Sequence, residues 1–131
     1  MPDHKPEVSA GTLLEAARSA KENAYAPYSK FRVGAALFTA AGRVYRGCNV
    51  ENASFGLTVC AERVALFKAV SEGEREFLAL GLIGDGEDYC VPCGACLQVL
   101  AEFNPGLEIF LANRRGEYIR KRVDELLPMV F

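Results

Sequence analysis

Two cysteine-bearing segments, Cys60-Ala61-Glu62 and Pro92-Cys93-Gly94-Ala95-Cys96, each stand at the head of a helical pattern. Between those patterns lies one nearly continuous apolar run, Phe77-Leu78-Ala79-Leu80-Gly81-Leu82-Ile83-Gly84. A short apolar run bounded by turn residues is the mark of a central strand covered on both faces. Strand–helix–strand units in series require at least part of the sheet to be parallel, with helices on its faces.

The rest of the chain fits around that strand. Ser9 is placed to cap a helix with Leu13, Leu14, Ala17 and Ala20 at helical spacing, running to about Ala24, with Pro27 beyond it. Phe31 to Phe38 and Val44 to Asn49 read as a hairpin turning at Ala41-Gly42. Helical patterns are expected from Val59 to Val70 and from Gly94 to Phe103, with Gly73 and Asn104-Pro105-Gly106 as their stops. Further strands are expected at Leu107 to Leu111 and at Tyr118-Ile119, then a helical turn from Val123 to Leu127. The order α-β-β-α-β-α-β-β predicts an α/β fold: a three-layer α/β/α sandwich with a mixed five-stranded sheet. Gly81 to Gly86 lacks phosphate-loop spacing and reads as a strand end and turn.

The 131 residues are expected to form one domain, 1–131, since domains cluster near about 100–150 residues. No secretory signal stands at the start, and no apolar stretch approaches the roughly 20 residues that cross a bilayer. A cytoplasmic protein without membrane contact is expected, and five cysteines there point to metal or catalysis before disulfides. The net charge of −2 argues against nucleic acid as a partner. The local basic cluster of Arg114, Arg115, Arg120, Lys121 and Arg122 reads as a strand edge defended by charge. The single histidine, His4, sits in a terminal segment. Ser-His-Asp, Cys-His and histidine-metal sites are thereby set aside, leaving acid–base work to other side chains.

Cys93 and Cys96, three residues apart in the first turn of a helix, lie on one face. The free N–H groups and positive dipole end of that turn favour thiolates, and Cys60 heads its own helix in the same way. Three sulfur ligands leave a fourth tetrahedral position open, the pattern of a catalytic zinc. Glu62 is close enough to face the metal without binding it, so its carboxylate can take a proton from activated water and return it to a substrate nitrogen. A redox pair at Cys93/Cys96 and a closed structural zinc with Cys90 as fourth ligand remain as alternatives.

Cys-x-Glu with Pro-Cys-x-x-Cys matches the zinc deaminase signature in its three-cysteine form. Over nearly the whole chain the sequence resembles the small cytidine deaminases: Tyr25-Ala26-Pro27-Tyr28-Ser29-Lys30-Phe31, Val33 to Leu37, Gly47 to Ala53, Cys60-Ala61-Glu62-Arg63, Pro92 to Cys96 and Glu125-Leu126-Leu127-Pro128 occur in family order. The resemblance implies hydrolytic deamination of cytidine and deoxycytidine in pyrimidine salvage, one Zn²⁺ per subunit, a small nucleoside substrate, and a homotetramer with shared active sites. It implies catalysis by Glu62 and metal binding by Cys60, Cys93 and Cys96. Asn49 and Glu51 would bond the ribose 3′-hydroxyl, Phe31 would pack on the pyrimidine and the Ala61 backbone would meet the base carbonyl. Arg63 would donate to the zinc thiolates, and Phe131 would reach a neighbouring subunit's site. Two residues depart from the family pattern: Leu97 where arginine is common, and Phe55 where many relatives have tyrosine. A deaminase of a modified cytosine nucleoside or nucleoside antibiotic, or an inactive zinc-binding scaffold, are the competing readings.

Overall fold

The computed structural model describes residues 5–131, so His4 lies outside the described residues. Its elements are α1 (Ala10–Lys21), β1 (Val33–Thr39), β2 (Val44–Cys48), α2 (Ala61–Ser71), β3 (Phe77–Gly84), α3 (Gly94–Phe103), β4 (Glu108–Ala112), β5 (Tyr118–Arg122) and α4 (Val123–Leu126). The five strands form one mixed sheet in the order β2-β1-β3-β4-β5. Only β3 and β4 pair in parallel, through the α3 crossover, and the other neighbours are antiparallel. No described helix is long and apolar enough to cross a membrane.

Alternation along the strands builds two apolar layers. Leu37, Leu80, Leu82, Ile109 and Leu111 face one way, against Ala65 and Leu66 of α2, Leu97 and Leu100 of α3, and Val123. Ala36, Phe38, Ala79, Ile83 and Phe110 face the other way, against Leu13, Leu14 and Ala17 of α1. The expected three-layer sandwich is therefore present, with β3 buried on both faces.

Side-chain-free positions let the helices lie close. A Cβ added at Gly47 would stand 2.5 Å from both the Ala61 carbonyl oxygen and the Ala65 nitrogen. The first turn of α2 thus rests directly on β2, and any larger residue in place of this glycine would meet the helix backbone. Gly34 does the same for α1, where an added Cβ would meet the Ala17 carbonyl oxygen at 1.9 Å.

Boundaries differ from the sequence reading where tertiary partners claim backbone groups. The α1 helix, capped by Ser9 as expected, stops at Lys21, short of Ala24. Tyr25 instead bonds across to the loop after β2, accepting from Glu51 and donating to Asn49. The first strand begins at Val33 because the N–H groups of Phe31 and Arg32 are taken by the side chains of Ser29 and Asp85. The last strand runs on to Arg122, its long charged side chains lying on the sheet edge. The arginines of the basic cluster are paired with carboxylates: Arg114 with Glu87, Arg115 with Glu87 and Glu117, Arg120 with Glu108, and Arg122 with Asp124.

Candidate active site

Register brings the site together at one end of the sheet. Gly34 pairs with Cys48 and Val33 with Gly84, so the end of β2, the start of β1 and the end of β3 are adjacent. The loops leaving β2 and β3 lead to α2 and α3. Cys60 and Cys93 are the N-cap residues of those helices, and neither sulfur caps its own helix. Ala61, Glu62 and Arg63 form the first turn of α2, while Cys96 lies in the first turn of α3.

The sulfurs of Cys60, Cys93 and Cys96 lie within 4.8 Å of one another, and no other metal-ligating cluster occurs among the described residues. Cys93 and Cys96 Sγ are 3.6 Å apart. Zn–S bonds of about 2.3 Å in tetrahedral geometry require sulfurs about 3.8 Å apart, so the donor set fits zinc. Cys90 stands outside the cluster, which removes the closed four-cysteine alternative. Its thiol is pushed up to about 12 by burial and by the charges of Glu62 and Cys60.

Protons are unevenly held among the sulfurs in the metal-free chain. Cys60 is lowered to about 5, chiefly by the Cys96 thiol donating to it, with further help from Arg63. Cys96 is raised, first because its proton is held in that bond and then by burial. Arg63 Nη2 is 3.5 Å from Cys60 Sγ. Its Nε is buried without a partner.

Glu62 is 4% exposed. Burial raises its carboxyl to about 7, with the Cys60 charge adding to the rise. It is not part of the sulfur cluster, so this buried carboxyl stands outside the set of residues that could hold a metal.

The other expected residues gather on the same end. The Phe31 ring lies against Gly84 and Gly86, where an added Cβ at Gly84 would meet Phe31 Cε1 at 2.9 Å and Cys90 Sγ at 3.2 Å. Asn49 Oδ1 accepts from Val33 N at 2.9 Å and Asn49 Nδ2 donates to Phe31 O at 2.9 Å. That leaves one N–H and one lone pair on the amide for a further partner. Glu51 accepts from the Tyr28 and Ser29 backbone and from the Ser29 hydroxyl, whose bond holds its carboxyl below the ordinary range. Ser29 Oγ in turn accepts from Phe31 N. Phe131 is the one expected site residue not brought in: its ring is fully exposed, and its backbone N–H reaches Gln98 Oε1 at 3.4 Å.

Sequence reasoning passed over Asp85 and Lys21. Lys21 is 6% exposed and its Nζ donates to Asp85 Oδ1 at 2.7 Å, while Arg32 donates to the same carboxylate. The available signal was Asp85 itself, a lone acid between two glycines at the end of a buried strand. Leu97 lies in the core, 4% exposed, so this chain presents an apolar side chain at the position after Cys96.

Residues 8–111 match the family model for the cytidine and deoxycytidylate deaminase zinc-binding region. A cytidine deaminase of Halalkalibacterium halodurans is 51% identical over 120 residues, covering 91% of each chain. One from Sporosarcina psychrophila is 49% identical over 120 residues, covering 91% of this chain and 88% of the relative. The crystal structure of a cytidine deaminase from Burkholderia pseudomallei superimposes with a TM-score of 0.92 at 50% identity, covering 95% of this chain and all of that one. With its three-sulfur site, buried glutamate and mixed sheet, the chain belongs to the cytidine and deoxycytidylate deaminase family of zinc-binding hydrolases.

Proposed function

We propose that this chain, acting as one domain, converts cytidine and deoxycytidine to uridine and deoxyuridine with release of ammonia, in pyrimidine salvage. The observation that carries the reading is the buried Glu62 carboxyl beside, and separate from, the Cys60/Cys93/Cys96 cluster. Cys60, Cys93 and Cys96 would hold zinc, which would supply the Lewis acidity that makes water nucleophilic near neutral pH.

The protein's part is to bind, orient and move protons. Glu62 passes a proton from the attacking water to ring N3 as C4 of the pyrimidine becomes tetrahedral, then passes the new C4 hydroxyl's proton to the exocyclic nitrogen, which leaves as ammonia as the C4 carbonyl forms. In its protonated form the same carboxyl donates to the ring nitrogen of the substrate base, so base recognition and proton delivery share one group. The Ala61 N–H, unpaired in the first turn of α2, meets the base carbonyl. Phe31 packs on the ring face, and Asn49 and Glu51 bond the ribose hydroxyl with the capacity that their internal bonds leave over. Arg63 offsets the excess negative charge of three thiolates around a divalent ion.

A homotetramer with shared sites is part of the reading. Val50, Phe55, Leu57 and Phe67 expose large apolar side chains around α2 and the loop before it, surface that a second copy would cover. A cleft of about 340 Å³ beside Glu51, lined also by Tyr28, Asn52 and Phe55, opens onto that surface.

The test is ammonia release from purified protein with cytidine, deoxycytidine, cytosine, deoxycytidylate and aminated nucleoside antibiotics, with zinc content measured in parallel. Turnover of the two free nucleosides with about one zinc per chain supports the reading. Turnover confined to the nucleotide or an antibiotic would replace it.

A further inference from the structure

The segment Gly84-Asp85-Gly86 does more than end β3. Asp85 grips Arg32, the residue after Phe31, by backbone and side chain together. Arg32 N donates to Asp85 Oδ2 at 3.1 Å, Arg32 Nε to the same oxygen at 2.9 Å, and Asp85 N donates back to Arg32 O at 3.1 Å. From beneath, the buried Lys21 Nζ reaches Asp85 Oδ1 at 2.7 Å. Burial by itself would raise this carboxyl, but the bonds from Arg32 and Lys21 outweigh it and bring it to about 2, so the grip is ionic at every ordinary pH.

The two glycines flank that grip and form a seat for the Phe31 ring. A Cβ at Gly84 would lie 2.9 and 3.0 Å from Phe31 Cε1 and Cζ, and one at Gly86 would lie 3.1 and 3.3 Å from Cε2 and Cζ. The ring therefore presses on bare backbone at two points, while its main chain is tied to Ser29, Asn49 and, through Arg32, Asp85. An aromatic platform fixed in this way loses little freedom when a base stacks on it.

We propose that Gly84, Asp85 and Gly86 are positioning residues for substrate binding, acting on base affinity through the Phe31 ring. The inference rests on the reading of Phe31 as the base contact. Gly86 offers the cleanest probe, because beyond the Phe31 ring the nearest atom to its added Cβ is Asp88 N at 3.9 Å.

The experiment is a cycle of zinc-loaded Gly86→Ala, Phe31→Ala and the double variant, repeated with Gly84→Ala, measuring kcat and KM for cytidine and zinc content. Stacking is worth enough that displacing the ring raises KM about tenfold, with kcat within about twofold and zinc retained. In the Phe31→Ala background the same glycine substitution should leave KM within about twofold. An equal rise in both backgrounds would overturn the proposal, because the glycine would then act without Phe31. So would an unchanged KM in both glycine variants while Phe31→Ala raises it. If Phe31→Ala itself leaves KM unchanged, the base-contact reading is what fails, and the proposal falls with it.

Discussion

Arg63 Nη2 points at Cys60 Sγ from 3.5 Å, one helical turn along α2, so the residue that heads the helix is compensated by a cation from the same turn. With Leu97 buried in the core, no cation follows directly on Cys96, and Arg63 carries the compensation on the α2 side. Arg63→Ala should therefore weaken zinc retention and activity by about 10–100-fold, the usual effect of losing a bond to a metal ligand. Chelator competition and kcat at saturating cytidine read both effects. Unchanged values would make Arg63 a bystander.

Zinc uptake should release protons. Cys60 already lies low, at about 5, whereas Cys96 is raised and keeps its proton in the metal-free chain. The metal needs thiolates, so at least the Cys96 proton must leave as zinc enters, and affinity should rise with pH. Adding zinc to metal-free protein in weakly buffered solution with an indicator dye tests this. An affinity flat between pH 6 and 8, with no proton released, would contradict it.

Acid should weaken the fold through Asp85. Its folded pKa, about 2, lies below its ordinary value of 3.8, so its contribution is complete above about pH 4 and is lost as pH falls toward 2. Thermal melts of the wild type and of the Lys21→Met/Asp85→Asn variant should converge in pH dependence except in that window, where only the wild type loses the extra stability. Parallel curves throughout would show that the pair does not stabilise the fold.

The exposed Phe131 ring has no contact that would hold it in its own chain. If it completes a neighbour's site, deleting Phe131 should lower kcat/KM for cytidine while zinc content stays unchanged. An unchanged kcat/KM would confine each site to a single chain.

Most of this molecule was readable before its structure. The Phe77–Gly84 strand and Gly94–Phe103 helix match the sequence reading because an apolar run and a helical repeat between strong stops leave few options. The sulfur cluster was legible for the same reason: each half sits at a helix start, where spacing alone sets direction. What escaped was tertiary. Lys21 looks like a helix-surface lysine until the fold buries it against Asp85, and Gly84-Asp85-Gly86 looks like an ordinary turn until the Phe31 ring lies on it. The end of α1 and the start of β1 were misplaced because Tyr25, Phe31 and Arg32 bond to partners far along the chain. Likewise Leu97 reads from sequence as a missing charge, while in the fold it is also a core side chain.

The central claim is that Glu62 moves the protons and does not hold the metal. The measurement that meets it most directly is ammonia release from cytidine by Glu62→Ala protein whose zinc content has been determined in the same sample. The expected result is about one zinc per chain with turnover reduced by about 10²–10⁴-fold or more, the range for loss of a general acid–base. Substantial deamination by the zinc-loaded variant would contradict the account, as would loss of the metal with the carboxylate.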